Sequence, residues 1–138
     1  MVVVDASVAV LWFVPQEHAD LATTLLASKV RMRAPGRLRL EAASALLRSV
    51  RRRELDEAEA RRITRVLIPA SVEFEDDIRD EREAFDIAAV HGGSVYDGVY
   101  VALARRLGAT LVTGDWRMHE TARAVGARVR ALADGPPW

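Results

Sequence analysis

The stretch Val2-Val3-Val4-Asp5-Ala6-Ser7 decides how the rest of the chain is read. Three β-branched apolar residues in a row describe a strand buried on both faces, as in the middle of a parallel sheet. Asp5 follows directly, where that strand should stop and a helix should start. In open α/β sheets, ligands bind beyond the carboxyl ends of the strands. A carboxylate at that point is either the cap of the next helix or the first piece of a site.

Outward from this stretch, strand and helix signals alternate. Residues 7–14 are apolar and read as a helix that stops before Pro15. Residues 17–28 carry Leu21, Leu25 and Leu26 at helical spacing. Residues 30–34 read as a short strand closed by the Pro35-Gly36 turn. A long helix over 37–53 follows, then one opened by Asp56 and running to about residue 67, before Pro69. Residues 71–75 alternate as a strand does, and 77–90 read as a helix closed at Gly92. Ser94 opens the next helix, which Gly108 stops. Residues 110–113 form a second buried strand, 117–125 a helix and 128–131 a last short strand. This alternation predicts an α/β fold, a parallel sheet flanked by helices. Residues 1–132 are expected to form one domain, with 133–138 a short C-terminal tail.

Composition narrows the function classes. The chain has 138 residues, 50% of them hydrophobic and 29% charged, as in ordinary globular proteins. No apolar run approaches the roughly 20 residues needed to span a bilayer. No signal peptide is evident, because Asp5 interrupts the first apolar run. With no cysteine, disulfides and thiolate metal sites are excluded, and a cytoplasmic location is expected. The formal net charge is zero, so no whole-molecule field attracts nucleic acid. Lys29 is the single lysine; the other basic side chains are arginines, which suit bidentate phosphate contacts. The charge runs at 51–53 and 73–83 read as solvated faces, and Trp12 and Phe13 as core residues.

Four acids occupy unusual positions. Asp5 and Asp115 each follow a buried strand. Glu41 flanks an apolar helical stripe with Leu38 and Ala45, and Asp97 sits in the first turn of its helix. In a parallel sheet the strand ends and helix starts share one edge, so all four can converge there. Clustered, desolvated carboxylates repel one another, and a divalent cation relieves the penalty. Mg²⁺ and Mn²⁺ prefer oxygen ligands, and three scattered histidines offer little to zinc. Such a cation can bind a phosphodiester and activate water. Each acid also has a structural reading. Asp5 and Asp115 can cap helices, Ser94 and Asp97 can form a capping box, and Glu41 can pair with Arg37 or Arg48.

The stretches around these acids resemble the PIN-domain ribonucleases, and among them the VapC toxins of toxin–antitoxin pairs. The resemblance rests on Val3-Val4-Asp5-Ala6-Ser7-Val8, Leu40-Glu41-Ala42-Ala43-Ser44-Ala45-Leu46, Ser94-Val95-Tyr96-Asp97-Gly98-Val99-Tyr100-Val101-Ala102-Leu103-Ala104 and Leu111-Val112-Thr113-Gly114-Asp115, in that order. It implies a three-layer α/β/α sandwich and Mg²⁺- or Mn²⁺-dependent endonucleolytic cleavage of RNA. Asp5, Glu41, Asp97 and Asp115 would form the acidic cluster, with Asp5, Asp97 and Asp115 as metal ligands. Ser7 and Thr113 would support the cluster through hydrogen bonds. Arg51, Arg52 and Arg117 are candidates for holding the RNA backbone. A cognate antitoxin protein and a homodimer are the implied partners, with no membrane involved. Three features differ from the family's usual pattern; one is that no further acid follows Asp115 before Glu120, which argues against a strong second metal site. Ser44 replaces a common Asn, and Gly98 a common Ala or Ser, at an expected cost of up to about 1 kcal/mol in a helix.

Rival readings make different demands. A phosphatase with Asp5 as covalent nucleophile wants a second Asp two residues on and a lysine; the chain has Ser7 and only Lys29. A receiver-like domain also wants a lysine near its acids. A catalytically degenerate PIN-like module that only binds protein or RNA is the remaining alternative.

Overall fold

The computed structural model describes residues 1–67, 69 and 71–138. Strands β1 (Val2–Val4), β2 (Met32–Ala34), β3 (Val72–Phe74), β4 (Thr110–Thr113) and β5 (Val129–Ala131) form one parallel sheet in the order β3-β2-β1-β4-β5. Val2, Val3 and Val4 are fully buried, although successive strand side chains point to opposite faces. Both faces of the sheet are therefore covered, as the all-valine run requires. The chain winds from β1 through β2 to β3 on one side, then returns to β4 and β5 on the other. The direction of winding thus reverses between β1 and β4, which is where open α/β sheets hold their ligands.

The helices are α1 (Ala6–Ala9), α2 (Ala19–Ala27), α3 (Leu38–Arg51), α4 (Glu57–Thr64), α5 (Ile78–His91), α6 (Val95–Leu107) and α7 (Trp116–Ala124). Most starts are fixed by caps legible in the sequence. The Asp56, Asp77 and Ser94 side chains accept backbone N–H bonds at the starts of α4, α5 and α6. Gly108 ends α6 with φ 59°, a left-handed conformation that glycine adopts without strain.

Three expectations shift. The helix over 7–14 is instead α1 followed by a 3₁₀ turn, Val10–Trp12. Pro15 disfavours α geometry just before it, and the Trp12 indole N–H donates to the Ala22 carbonyl, turning the segment toward α2. The helix over 17–28 begins only at Ala19, because His18 takes φ 66° ahead of it. The helix from Asp56 ends at Thr64 rather than 67. Ile68 and Ala70, between that end and β3, lie outside the described residues.

The main core lies around the sheet, with α5, α6 and α7 packed together and Tyr100, Leu103 and Leu111 among its buried side chains. A second cluster of Val14, Ala42, Leu46, Ile63 and Leu67 joins the 3₁₀ segment to α3 and α4. Trp12 packs against the first cluster and Phe13 against the second, as expected of core residues. The last residues return to the fold: Arg130 Nη2 donates to the Gly135 carbonyl at 3.1 Å, and Trp138 packs on the main core.

Gly98 has a packing reason. A Cβ there would sit 2.8 Å from the Ala84 carbonyl oxygen and 3.0 Å from its Cα, both backbone atoms of α5. The bare glycine lets α5 and α6 approach, so its helix-propensity cost is offset by contact. Gly98→Ala is expected to destabilise the fold by about 1–3 kcal/mol, outweighing a propensity gain of about 1 kcal/mol. Urea unfolding checks this; a stabilised variant would show that the helices can separate without penalty.

Candidate active site

The four carboxylates come from four separate stretches and line one crevice of about 530 Å³. Asp5 leaves β1 and enters α1. Asp115 follows β4 and caps α7. Asp97 lies in the first turn of α6, and Glu41 in that of α3. Ser7, Arg37, Ser44, Arg48 and Tyr100 complete the polar lining.

Asp5 forms the floor and is only 2% exposed. Its Oδ1 accepts from the Ser7 hydroxyl at 2.6 Å and the Val8 amide at 3.2 Å; its Oδ2 accepts from the Thr113 hydroxyl at 2.7 Å. Each hydroxyl accepts in turn. Ser7 Oγ takes the Gly114 N–H at 2.7 Å, and Thr113 Oγ1 takes the Asp115 N–H at 2.9 Å. These two relays tie the end of β1 to the end of β4, so the switch point is braced by hydrogen bonds around one carboxylate. Burial pushes the Asp5 carboxyl up to about 6, against the lowering pull of Ser7, Thr113 and Val8; the nearby charge of Asp115 adds to the rise.

Glu41 is gripped from both sides. Arg37 donates through Nε at 2.7 Å and Nη2 at 2.6 Å to Oε1, and the Tyr100 hydroxyl donates to Oε2. Tyr100 is buried. Desolvation, then its bond to Glu41, hold its hydroxyl well above the usual phenol range, so it stays a donor. The Arg37 guanidinium also lies 3.9 Å from the Tyr96 ring centre. Asp97 is exposed at the mouth, and its Oδ2 accepts from the Ser94 hydroxyl at 2.7 Å. The capping box therefore forms through that hydroxyl rather than the Ser94 amide. Asp115 Oδ1 caps α7 through the Met118 amide at 3.0 Å. Asp5, Glu41 and Asp115 thus fulfil their structural readings, Asp97 does so in altered form, and all four line the shared crevice.

Ser7 lines the crevice with the acids, and Thr113 lies just beneath, on Asp5. Arg117 lines a neighbouring cavity of about 330 Å³ that shares Asp97 and Asp115. Arg51 and Arg52 stand at the end of α3, outside the crevice lining. The sequence reading missed Tyr100 as a partner of Glu41. It named Arg48 only as an ion-pair partner for Glu41, a place that Arg37 takes. The relevant signal was spacing: Tyr100 falls three residues after Asp97 and Arg48 seven after Glu41, each on the same helical face as its acid.

The donor set is all oxygen, as a hard divalent cation requires. Among the described residues no three His, Asp or Glu side chains gather into a ready ligand set, and each of the four carboxylates accepts from a local donor. This fits an ion that takes one or two carboxylates directly and keeps several waters, as Mg²⁺ does.

Comparison with known proteins points the same way. Ribonuclease VapC3 of Pyrobaculum aerophilum is 31% identical over 120 residues, 86% of this chain and 92% of that protein. The solved structure of PAE2754, from the same organism, superposes with a TM-score of 0.71 at 22% identity, covering 96% of this chain and 91% of the other. The Mycobacterium tuberculosis toxin VapC20, described as cleaving the sarcin–ricin loop, gives 0.69 at 19% identity, covering 92% and 96%. The FitAcB structure from Neisseria gonorrhoeae gives 0.62 at 17% identity, covering 96% and 99%. At these identities the structures establish the fold alone. The family model described as PIN domain matches residues 2–124, nearly the whole chain, and with the switch-point crevice in place the chain belongs to the PIN-domain family.

Proposed function

We propose that the chain is a metal-dependent endoribonuclease and the toxin of a toxin–antitoxin pair, acting through the crevice at the β1–β4 switch point. The observation that carries this is the meeting of Asp5, Glu41, Asp97 and Asp115 in one cavity at the end of the sheet. The PIN-domain match and the relative named a ribonuclease support the reaction class.

Asp5, Asp97 and Asp115 would hold Mg²⁺ or Mn²⁺, one or two of them directly and the rest through the ion's waters. When bound, such an ion lowers the pKa of a water and offsets charge on the scissile phosphate. Ser7 and Thr113 fix the direction of Asp5 oxygens from below. Glu41, fixed by Arg37 and Tyr100, adds a charge of set orientation on the α3 side. Arg51, Arg52 and Arg117 are assigned to the RNA backbone around the crevice. A cognate antitoxin would block the same opening with a basic segment. Residues 1–132 would act as one nuclease domain, in a homodimer, in the cytoplasm.

The test is direct. Protein freed of any bound partner is incubated with structured RNA in Mg²⁺, in Mn²⁺, or in EDTA. Cleavage is expected with either metal, none in EDTA, and recovery when metal is returned. Asp97→Asn is expected to lower the rate more than about 100-fold, beyond the 10–100-fold typical when only a supporting partner of a metal ligand is lost. Wild-type protein inert under every condition would replace this function with that of a binding module.

A further inference from the structure

We infer that RNA enters along the C-terminal half of α3, with Arg48 as the phosphate anchor between the crevice and the Arg51–Arg52 end of the helix. This deepens the ribonuclease reading and rests on it. The crevice is lined by four carboxylates and two arginines. Polyanionic RNA approaching it meets net negative charge unless a free cation leads the way. Arg37 is not free, since Glu41 holds it through two donors and the Tyr96 ring covers its guanidinium. Arg48 is exposed, and among the described residues no carboxylate lies within ion-pair distance of it.

The helix supplies direction. Glu41, Ser44, Ala45 and Arg48 all line the crevice, so one face of α3 runs along its wall. Arg51 and Arg52 follow three and four residues after Arg48, continuing that face beyond the crevice. Both are exposed and, among the described residues, make no ion pair. Arg61 and Arg62 of the neighbouring α4 are each committed to a glutamate of their own helix. The uncompensated positive charge beside the crevice therefore concentrates on the end of α3, and phosphate contacts position a strand without reading its sequence. The Ser44 hydroxyl, one turn before Arg48, can donate to a neighbouring phosphate oxygen. On the opposite side, Arg117 sits beside Asp97 and Asp115 in the adjoining cavity, where their charges offset its own.

The experiment measures binding of a short labelled single-stranded RNA in EDTA across a salt series, then single-turnover cleavage in Mn²⁺. Arg48→Gln is expected to weaken binding about 10-fold, to flatten the log–log salt slope by about 1, and to raise the RNA concentration giving half-maximal cleavage, with the saturated rate within about twofold of wild type. Arg51→Gln with Arg52→Gln is expected to flatten the slope further, and Arg117→Gln, whose charge Asp97 and Asp115 offset, to flatten it less than Arg48→Gln does. Wild-type affinity and slope in Arg48→Gln would overturn the path and leave this end of α3 to a protein partner. A loss greater in Arg117→Gln than in Arg48→Gln would move the path to α7. Failure of the wild type to cleave RNA would sink the ribonuclease reading separately, because the binding series is read without turnover.

Discussion

Asp5→Asn is expected to abolish metal-dependent RNA cleavage and, in EDTA at pH 8, to make the protein more stable than the wild type. The two effects share one cause. Asp5 is buried at the junction of β1 and β4, and burial pushes its carboxyl up to about 6, with Asp115 contributing. In the unfolded chain the same group titrates near 3.8. A raised folded-state value means that the native protein holds the proton more tightly, so this contribution is complete below about pH 4. It is lost as pH rises through about 6, a span corresponding to about 3 kcal/mol. Ser7, Thr113 and the Val8 amide limit the penalty without removing it. Asparagine keeps the cap on α1, since its side-chain oxygen can still accept from Ser7 and Val8, and it carries no charge to desolvate. Thermal unfolding from pH 4.5 to 8 in EDTA should show the wild type losing stability through the titration and the variant staying flat. Adding Mg²⁺ or Mn²⁺ should raise the wild-type Tm by mass action and leave the variant unmoved. RNA cleavage should fall more than about 100-fold. A variant less stable than wild type at pH 8 would mean that the hydrogen bonds outweigh the desolvation, and that the carboxylate is in place for the fold rather than for an ion.

Much of the fold and the acidic site could be read because both depend on local sequence. A run of β-branched valines reads as a strand covered on both faces, and Asp5 and Asp115 are placed by the strands they follow. Asp56, Asp77 and Ser94 announce their helices through caps that span three residues or fewer. What could not be read depends on partners far away in the chain. Tyr100 and Glu41 are 59 residues apart and meet only because α3 and α6 flank the same switch point. Gly98 looks like a weak helix position until the Ala84 carbonyl of α5 is found where its Cβ would be. The 3₁₀ turn at Val10–Trp12 depends on an indole reaching the Ala22 carbonyl across a bend. The acidic run at 73–83 reads as a solvated face, yet one of its members, Asp80, is buried.

That buried aspartate carries the second large effect. Asp80 in α5 is 2% exposed, and Arg106 of α6 binds it with two parallel hydrogen bonds, Nε to Oδ1 at 2.8 Å and Nη2 to Oδ2 at 2.9 Å. Arg106 Nη2 also reaches Glu75 at 3.1 Å, and Glu75 in turn takes Arg33 of β2 at 3.0 Å. The network pins the α5–α6 pair to the edge of the sheet. Its two ends are not equivalent. Among the described residues Asp80 is hydrogen-bonded only to Arg106, whereas Arg106 keeps Glu75 and a side chain 21% exposed to water. Arg106→Leu strands a buried carboxylate and is expected to cost about 2–4 kcal/mol, a little under the value for a fully enclosed pair. Asp80→Leu leaves the guanidinium with a second partner and solvent, and is expected to cost about 1–2 kcal/mol. Combining the two should cost less than the sum, because the second change removes the charge that the first one orphaned. Urea unfolding of the four proteins closes the cycle. Equal losses from the two single variants, or simple additivity, would mean that Asp80 finds another donor when Arg106 is gone. The asymmetry follows from burial, since a stranded charge costs most where neither water nor a second partner can reach it.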